Sequence, residues 1–348
     1  MTDQTKKEPL IAIASGRHLF AGNNNSFSKI IETKSIICKI FASKGKLFCS
    51  DANGSLYRAG KTAPMLSLGK ASPTAFDVRD GVLFYSPSLL KETEVFTPTS
   101  FGGKQSVVCE ERPTREVLSL DLTKTDLKPK PMAECPVEVQ DIFISENATL
   151  FAGSRRAGKF DDSAPYYSTR DPRKWKSSII QYRDGRLFEV ESFPGLITAS
   201  TKSKDRFFIG TSAGAIYNGR AYKGSTRIHQ IKPPSEMPAD MFINNLALKG
   251  NTKLYCSVRG GPFIGEIDLG TNEIESYRLP TENVDSRGMK AYAMAIMPTD
   301  DSILVGMIND PHLFSVSYRS LRGGRCEKLD TLFSGPQPIR LVEKFVEF

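Results

Sequence analysis

The sequence is poor in the residues that most often do chemistry. It has one Trp and three His in 348 residues. Three dispersed histidines, His18, His229 and His312, do not make a metal-binding cluster, and no HExxH, Gly-x-Ser-x-Gly or P-loop string occurs. Six cysteines are present, at 38, 49, 109, 135, 256 and 326. None stands at CxxC or finger spacing, so neither a zinc site nor a disulfide framework is expected. No metal or other cofactor is expected. No run approaches the roughly 18 apolar residues of a spanning helix, so no membrane partner is expected. Residues 1–8 are polar and lack the apolar core of a secretory leader, which points to a reducing, cytoplasmic setting. Sustained 3.6-residue periodicity is scarce, which argues against a helical fold.

What is abundant is short apolar alternation broken by turn residues. Apolar residues are 39% and charged residues 25%, a composition that excludes a long disordered or coiled-coil chain. Runs rich in Val, Ile, Phe and Tyr are divided by Gly16, Lys44-Gly45, Asp80-Gly81 and Asp184-Gly185. One unit recurs: an alternating strand, a polar turn, then a Leu-Phe-like strand followed by a small residue. It occurs at 11–22, 37–50, 75–86, 142–153, 198–210, 245–257 and 293–306, with anchors Phe20, Phe48, Phe84, Phe151, Phe208, Tyr255 and Leu304. Residues 47–57 align without a gap on 207–217, and 118–122 on 265–269.

A unit of about 45 residues and four strands cannot bury its faces alone, whereas seven units around an axis can. The expectation is therefore an all-β, seven-bladed β-propeller of four-stranded antiparallel blades, forming one domain over 1–348. A pair of β-sandwiches is the alternative. The first blade is one strand short, and 339–348 is a lone β-like segment, so the two ends are expected to pair and close the ring.

The repeats resemble those of the β-propeller superfamily along nearly the whole chain. They lack the Gly-His and Trp-Asp signatures of true WD repeats and the double Gly of kelch repeats. They also lack the Ser-x-Asp-x-Gly-x-x-Trp box of sialidase-like propellers, which Cys49 to Tyr57 resembles only without its Trp. The resemblance is to divergent WD-repeat-like and lyase-type cytoplasmic propellers. It implies a fold and no function.

The two longest intervals between anchors are consecutive and hold insertions at 87–115 and 154–176. Both fall between the second and third strands, so both are expected on one face. The first reads as a hairpin, 93–98 and 105–110 flanking Gly102-Gly103. The second carries seven basic residues, Arg155, Arg156, Lys159, Arg170, Arg173, Lys174 and Lys176, against three Asp. It also holds Phe160, Tyr166, Tyr167 and Trp175. Arg, Tyr and Trp are enriched at binding hot spots, and basic residues interleaved with aromatics also suit nucleic acid. A solvated loop with aromatics packed on the rim is the plain reading.

The expected partner-binding residues are Arg155, Arg156, Lys159, Tyr166, Tyr167, Arg173, Trp175 and Arg259. The expected function is a non-enzymatic scaffold for a protein partner, within a ribonucleoprotein assembly or outside one. The alternatives are direct RNA binding, or a hydrolase or lyase acting on a small anionic substrate at the channel. A net charge of +8 is modest for a dedicated nucleic-acid binder, and no DNA partner is expected. Asp51, Asp310 and His312 are the candidates for the channel mouth, although Asp in such turns more often caps its own backbone. The Pro-rich stretch 232–238 reads as a stiff connector.

Overall fold

The computed structural model describes residues 10–23, 26–99, 102–156, 174–204, 206–222, 225–231, 242–259, 261–280, 292–322 and 329–345. The chain opens with β1 (Leu10–Ser15), β2 (His18–Asn23) and β3 (Ser26–Glu32). β4 (Ile37–Ser43), β5 (Lys46–Asp51), β6 (Ser55–Arg58) and β7 (Leu66–Ser67) make the second blade. The third has β8 (Ala75–Arg79) and β9 (Val82–Ser86), then a separate hairpin of β10 (Ser88–Thr99) and β11 (Gly102–Pro113). It resumes with β12 (Glu116–Asp121) and β13 (Lys130–Glu134). The fourth is β14 (Glu138–Ile144), β15 (Thr149–Arg156), β16 (Trp175–Arg183) and β17 (Arg186–Pro194).

β18 (Ile197–Ser203), β19 (Arg206–Thr211), β20 (Ile216–Tyr222) and β21 (Ser225–Ile231) form the fifth blade. β22 (Phe242–Lys249), β23 (Lys253–Arg259), β24 (Phe263–Asp268) and β25 (Ile274–Arg278) form the sixth. The seventh is β26 (Ala293–Pro298), β27 (Ser302–Met307), β28 (His312–Ser317) and β29 (Asp330–Ser334), with the short helix α1 (Tyr318–Arg322) after β28. β30 (Ile339–Phe345) then pairs antiparallel with β1, giving the first blade the order β3-β2-β1-β30.

The protein is thus a seven-bladed β-propeller closed by its two ends. One detail of the sequence reading needs correction. The unit at 11–22 is not the first and second strands of its blade but the second and third, because β30 takes the innermost place. Phe20 therefore lies one strand further out than the other six anchors.

The core sits between blades. Among the described residues, each pair of adjacent blades encloses an apolar cluster. Phe48, Leu83 and Leu120 fill the space between blades two and three, and Ile11, Ile13, Leu304 and Ile339 seal the closing pair. The small residue that follows five of the anchors, Phe48, Phe151, Phe208, Tyr255 and Leu304, has a physical cause. In six blades the innermost strand carries one extra residue near its start, a β-bulge: Cys38, Gln140, Thr198, Asn244, Met294 and Arg340. The second-strand residue beside each bulge is small: Ser50, Ala152, Gly210, Ser257, Gly306 and Ala14 in the same order. At Gly210 a Cβ would lie 2.4 Å from Cγ2 of Ile243 in the next blade, and at Gly306 it would lie 2.9 Å from the Ile339 carbonyl oxygen. Blades converge here, and only a short side chain fits.

Candidate functional site

The connections between second and third strands share one face with the links between blades. Backbone hydrogen bonds tie the two sets together: Ala52 N to Ile36 O (2.8 Å), Ser212 N to Leu196 O (2.8 Å), Ile308 N to Tyr292 O (3.0 Å) and Gly335 N to Pro311 O (2.8 Å). The hairpin β10–β11 projects from this face of blade three. Its strands are twelve residues each and pair from Ser88↔Pro113 to Thr99↔Gly102, so the ribbon runs further toward the blade than 93–98 and 105–110. It forms a two-stranded sheet of its own. Ser88 anchors its root through Oγ donating to the Ser72 carbonyl (2.5 Å). Leu89 and Leu90 follow directly and are 57% and 46% exposed.

In blade four the ladder continues past the expected boundary. Ser154↔Ser177, Arg155↔Lys176 and Arg156↔Trp175 are paired, so residues 154–156 and 175–176 belong to the blade rather than to a loop. Trp175 is 2% exposed and packs with Leu196 of the following link. Arg155 is exposed at the base of the connection, and Arg156 ends β15. Lys159, Tyr166, Tyr167 and Arg173 lie outside the described residues, as does the 232–238 connector. Arg259 ends β23 on the same face, with its guanidinium 5.8 Å from the ring centre of Tyr292 in the next link.

None of the three channel-mouth candidates is among the residues that line the central cavity of the ring. Asp51 is fully buried and caps its own turn, accepting the N–H groups of Asn53 (3.1 Å) and Ser55 (2.9 Å) and the Tyr57 hydroxyl (3.1 Å). Asp310 does the same for His312, accepting its backbone N–H (2.9 Å) and pairing with its Nδ1 (2.7 Å). Both turns join second to third strands, one strand away from the axis. His18 and His229 are likewise on outer strands, β2 and β21.

The innermost strands instead enclose a central cavity of about 880 Å³. Its walls come from β4, β8, β14, β18 and β22, with the link at Ser72, Pro73 and Thr74, Pro113 at the foot of the hairpin and Leu341 of β30. Four charged side chains line it: Lys39, Asp77, Asp141 and Lys202. Two of them are paired. Asp77, 6% exposed, holds the Lys202 ammonium across blade four and also accepts the N–H groups of Ile144 (2.6 Å) and Val78 (2.7 Å). Burial raises the Asp77 carboxyl above its ordinary range, and Lys202 works against that rise.

Lys39 and Asp141 form no ion pair among the described residues. Asp141 accepts only the Ile142 N–H (2.8 Å) among the hydrogen bonds resolved for it. Protein surrounds it while it keeps partial contact with the channel. Desolvation pushes its carboxyl up to about 7, with Lys39 opposing and Asp77 adding to the shift. Lys39 lies 5.5 Å from the ring centre of Phe76. Sequence reasoning missed this set. The available signal was a polar pair breaking an otherwise apolar first strand, Cys38-Lys39, Gln140-Asp141 and Asn244-Asn245, at one place in the repeat.

Among the described residues no three His, Cys, Asp or Glu side chains gather closely enough to hold a metal ion. Burial pushes the thiols of Cys49, Cys135 and Cys256 up to about 12, so none is a thiolate at neutral pH. No described helix is long and apolar enough to cross a membrane.

No protein-family model matches the chain, and no curated protein matches it by sequence. Solved structures do share its shape. Apo AztD from Citrobacter koseri superposes with a TM-score of 0.55 at 12% identity, over 97% of this chain and 98% of that one. A functionally unknown protein from Desulfotomaculum acetoxidans gives 0.55 at 11% identity, over 98% and 100%. A streptogramin B lyase gives 0.52 at 12% identity, over 87% and 92%. At such identities the likeness is one of fold alone, and that fold is a seven-bladed β-propeller.

Proposed function

We propose that the protein is a non-enzymatic platform that holds a protein partner on the hairpin-bearing face. The observation that carries this reading is the β10–β11 ribbon. A lone two-stranded ribbon is marginal in water, and both its edges offer unpaired backbone groups to an incoming strand. Leu89 and Leu90 at its root add exposed apolar area. Arg155 and Arg259 share the face and supply rim charge, with Arg156 ending β15 beside them. Trp175, being buried, supports the rim and is not itself the anchor. Lys159, Tyr166, Tyr167 and Arg173 belong to the same proposal by their place in the sequence, between β15 and β16.

The test uses a partner captured from native lysate with and without nuclease, then identified and purified. Its affinity is measured for the intact chain, for Leu89→Asp with Leu90→Asp, and for a chain lacking 157–173. A weakening of tenfold or more in either altered chain, with no effect of nuclease, supports the platform. Loss on nuclease treatment instead makes the ligand RNA, with the steep salt dependence of phosphate contacts. Unchanged affinity in both altered chains overturns the site.

A second reading, a hydrolase or lyase acting on a small anionic substrate in the channel, draws support from Asp77 and Asp141. Both carboxyls are raised by burial, as acid–base groups at active sites often are. Turnover abolished by Asp141→Asn would favour it.

A further inference from the structure

The geometry points to the central cavity as a binding site for a small zwitterion of the amino-acid type, its ammonium received by Asp141 and its carboxylate by Lys39. This inference does not depend on the partner-docking reading, because the charged residues it uses lie on innermost strands, and the hairpin contributes only Pro113 at its foot to the cavity wall.

The first observation is an asymmetry between two charge pairs in one cavity. Asp77 and Lys202 are joined, and Asp77 has further backbone donors. That pair braces blades three and five and is already satisfied. Lys39 on β4 and Asp141 on β14 line the same cavity from blades two and four, with blade three between them. They sense each other electrostatically yet do not touch. A carboxylate and an ammonium held apart in a partly desolvated cavity carry an unrecovered solvation cost. A ligand with opposite charges at its own two ends recovers it at both. A simple cation or anion recovers only one, and leaves the other charge as it was.

The second observation is the bulges. Gln140, Thr198 and Asn244 are the extra residues of their strands and line the cavity. Bulges beside a cavity re-aim side chains that a regular strand would place elsewhere. Asn244 is held by Nδ2 donating to the Ala293 carbonyl (2.9 Å), which fixes its amide group. Fixed amide and hydroxyl groups beside a charge pair are what orients a small polar ligand. The third observation is the remainder of the wall. Phe76, Phe143 and Ile197 provide apolar surface for a side chain or a carbon skeleton. A cavity of about 880 Å³ is large for a single amino acid and falls in the ordinary range for small-molecule sites.

The test is calorimetric titration of the intact protein with each of the free amino acids at pH 7.5. Propylamine and propionate serve as amine-only and acid-only probes. The expected result is saturable binding of at least one amino acid, with both half-probes at least tenfold weaker. Asp141→Asn and Lys39→Met should each weaken that binding at least tenfold, while Lys128→Ala, in the exposed connection between β12 and β13, leaves it unchanged. Side-chain amide resonances of Gln140 and Asn244, followed in the unsubstituted protein, should shift during the same titration. That readout stands even where a variant folds poorly. No heat from any amino acid at millimolar concentration overturns the inference. So does binding that survives both substitutions, or one that shifts only resonances outside the cavity. Partner capture lost on altering the hairpin face, with amino-acid binding intact, separates this site from the platform.

Discussion

Ser15 and Gln337, 322 positions apart, are joined by two hydrogen bonds: the Ser15 hydroxyl donates to the Gln337 carbonyl (2.5 Å) and accepts its backbone N–H (2.9 Å). This contact ties the end of β1 to the turn that leads into β30. Ring closure therefore rests on the strand pairing, on the Ile11–Ile339 cluster and on this hydroxyl. Ser15→Ala removes both bonds, and because Gln337 is exposed, water can take up its N–H, so the loss should be about 0.5–1.5 kcal/mol, the net worth of an ordinary hydrogen bond. Chemical denaturation should show that loss. A chain ending at 338 loses the innermost strand of blade one and should not unfold cooperatively at all.

Trp175 should matter to stability first. It is 2% exposed and sits beside Leu196 where blade four meets the next link. Trp175→Ala should cost about 3–5 kcal/mol, the range for removing a buried aromatic side chain. Far less loss in denaturant unfolding would return Trp175 to the candidate partner surface.

The hairpin should be dispensable for folding. It forms no sheet with the ring. Excising 90–111 and joining Leu89 to Arg112 through an Asn-Gly turn keeps the Ser88 anchor. It should change stability by less than about 1 kcal/mol, as surface changes usually do. A larger drop would mean that the ribbon supports blade three.

The approach of blade six to Gly210 gives a steric prediction. Gly210→Val places branched carbon where Ile243 already sits, with even a Cβ only 2.4 Å from its Cγ2. Overpacking of this kind costs about 1–3 kcal/mol. Thermal unfolding should show it, and Ile243→Ala in the same chain should recover part of it.

Asp141 gives a pH signature. Its carboxyl is raised from 3.8 to about 7, so the folded protein holds this proton more tightly than the unfolded chain does. The stability it contributes is complete below about 3.8 and is lost as pH rises through about 7. Lys39, Asp77 and Lys202 are the charged groups acting on it. Asp141→Asn should therefore stabilise the protein at pH 8, on the order of 1–3 kcal/mol, and the gain should vanish near pH 4. An equal effect at both values would contradict the shift.

Much of this architecture is legible in the sequence because a propeller writes its period into the chain. The anchors Phe48, Phe151, Phe208 and Tyr255 are buried in second strands, and the small residue after each reflects the bulge opposite. The frame of blade one is misread because β1 and β2 look like any first and second strands. Only the partner of β1, 322 residues away at its Ser15 contact, shows that it is second. Trp175 reads as a loop residue because Lys174 and Lys176 flank it, and a ladder reaching past the core leaves no apolar alternation. Asp51 and Asp310 look like site residues for the reason that makes them turn caps, a short acceptor beside two backbone donors. The channel charges were hidden differently. Lys39 and Asp141 lie in strands whose period marks them as ordinary, and only the closing of the ring brings blades two and four to one cavity.

The most direct test of the platform reading is amide hydrogen exchange of the intact chain, with and without its purified protein partner. Slowed exchange across 88–113 on binding, with little change in β4, β14 and β18, is the predicted result. Protection confined to the innermost strands, or to the opposite face, would contradict it.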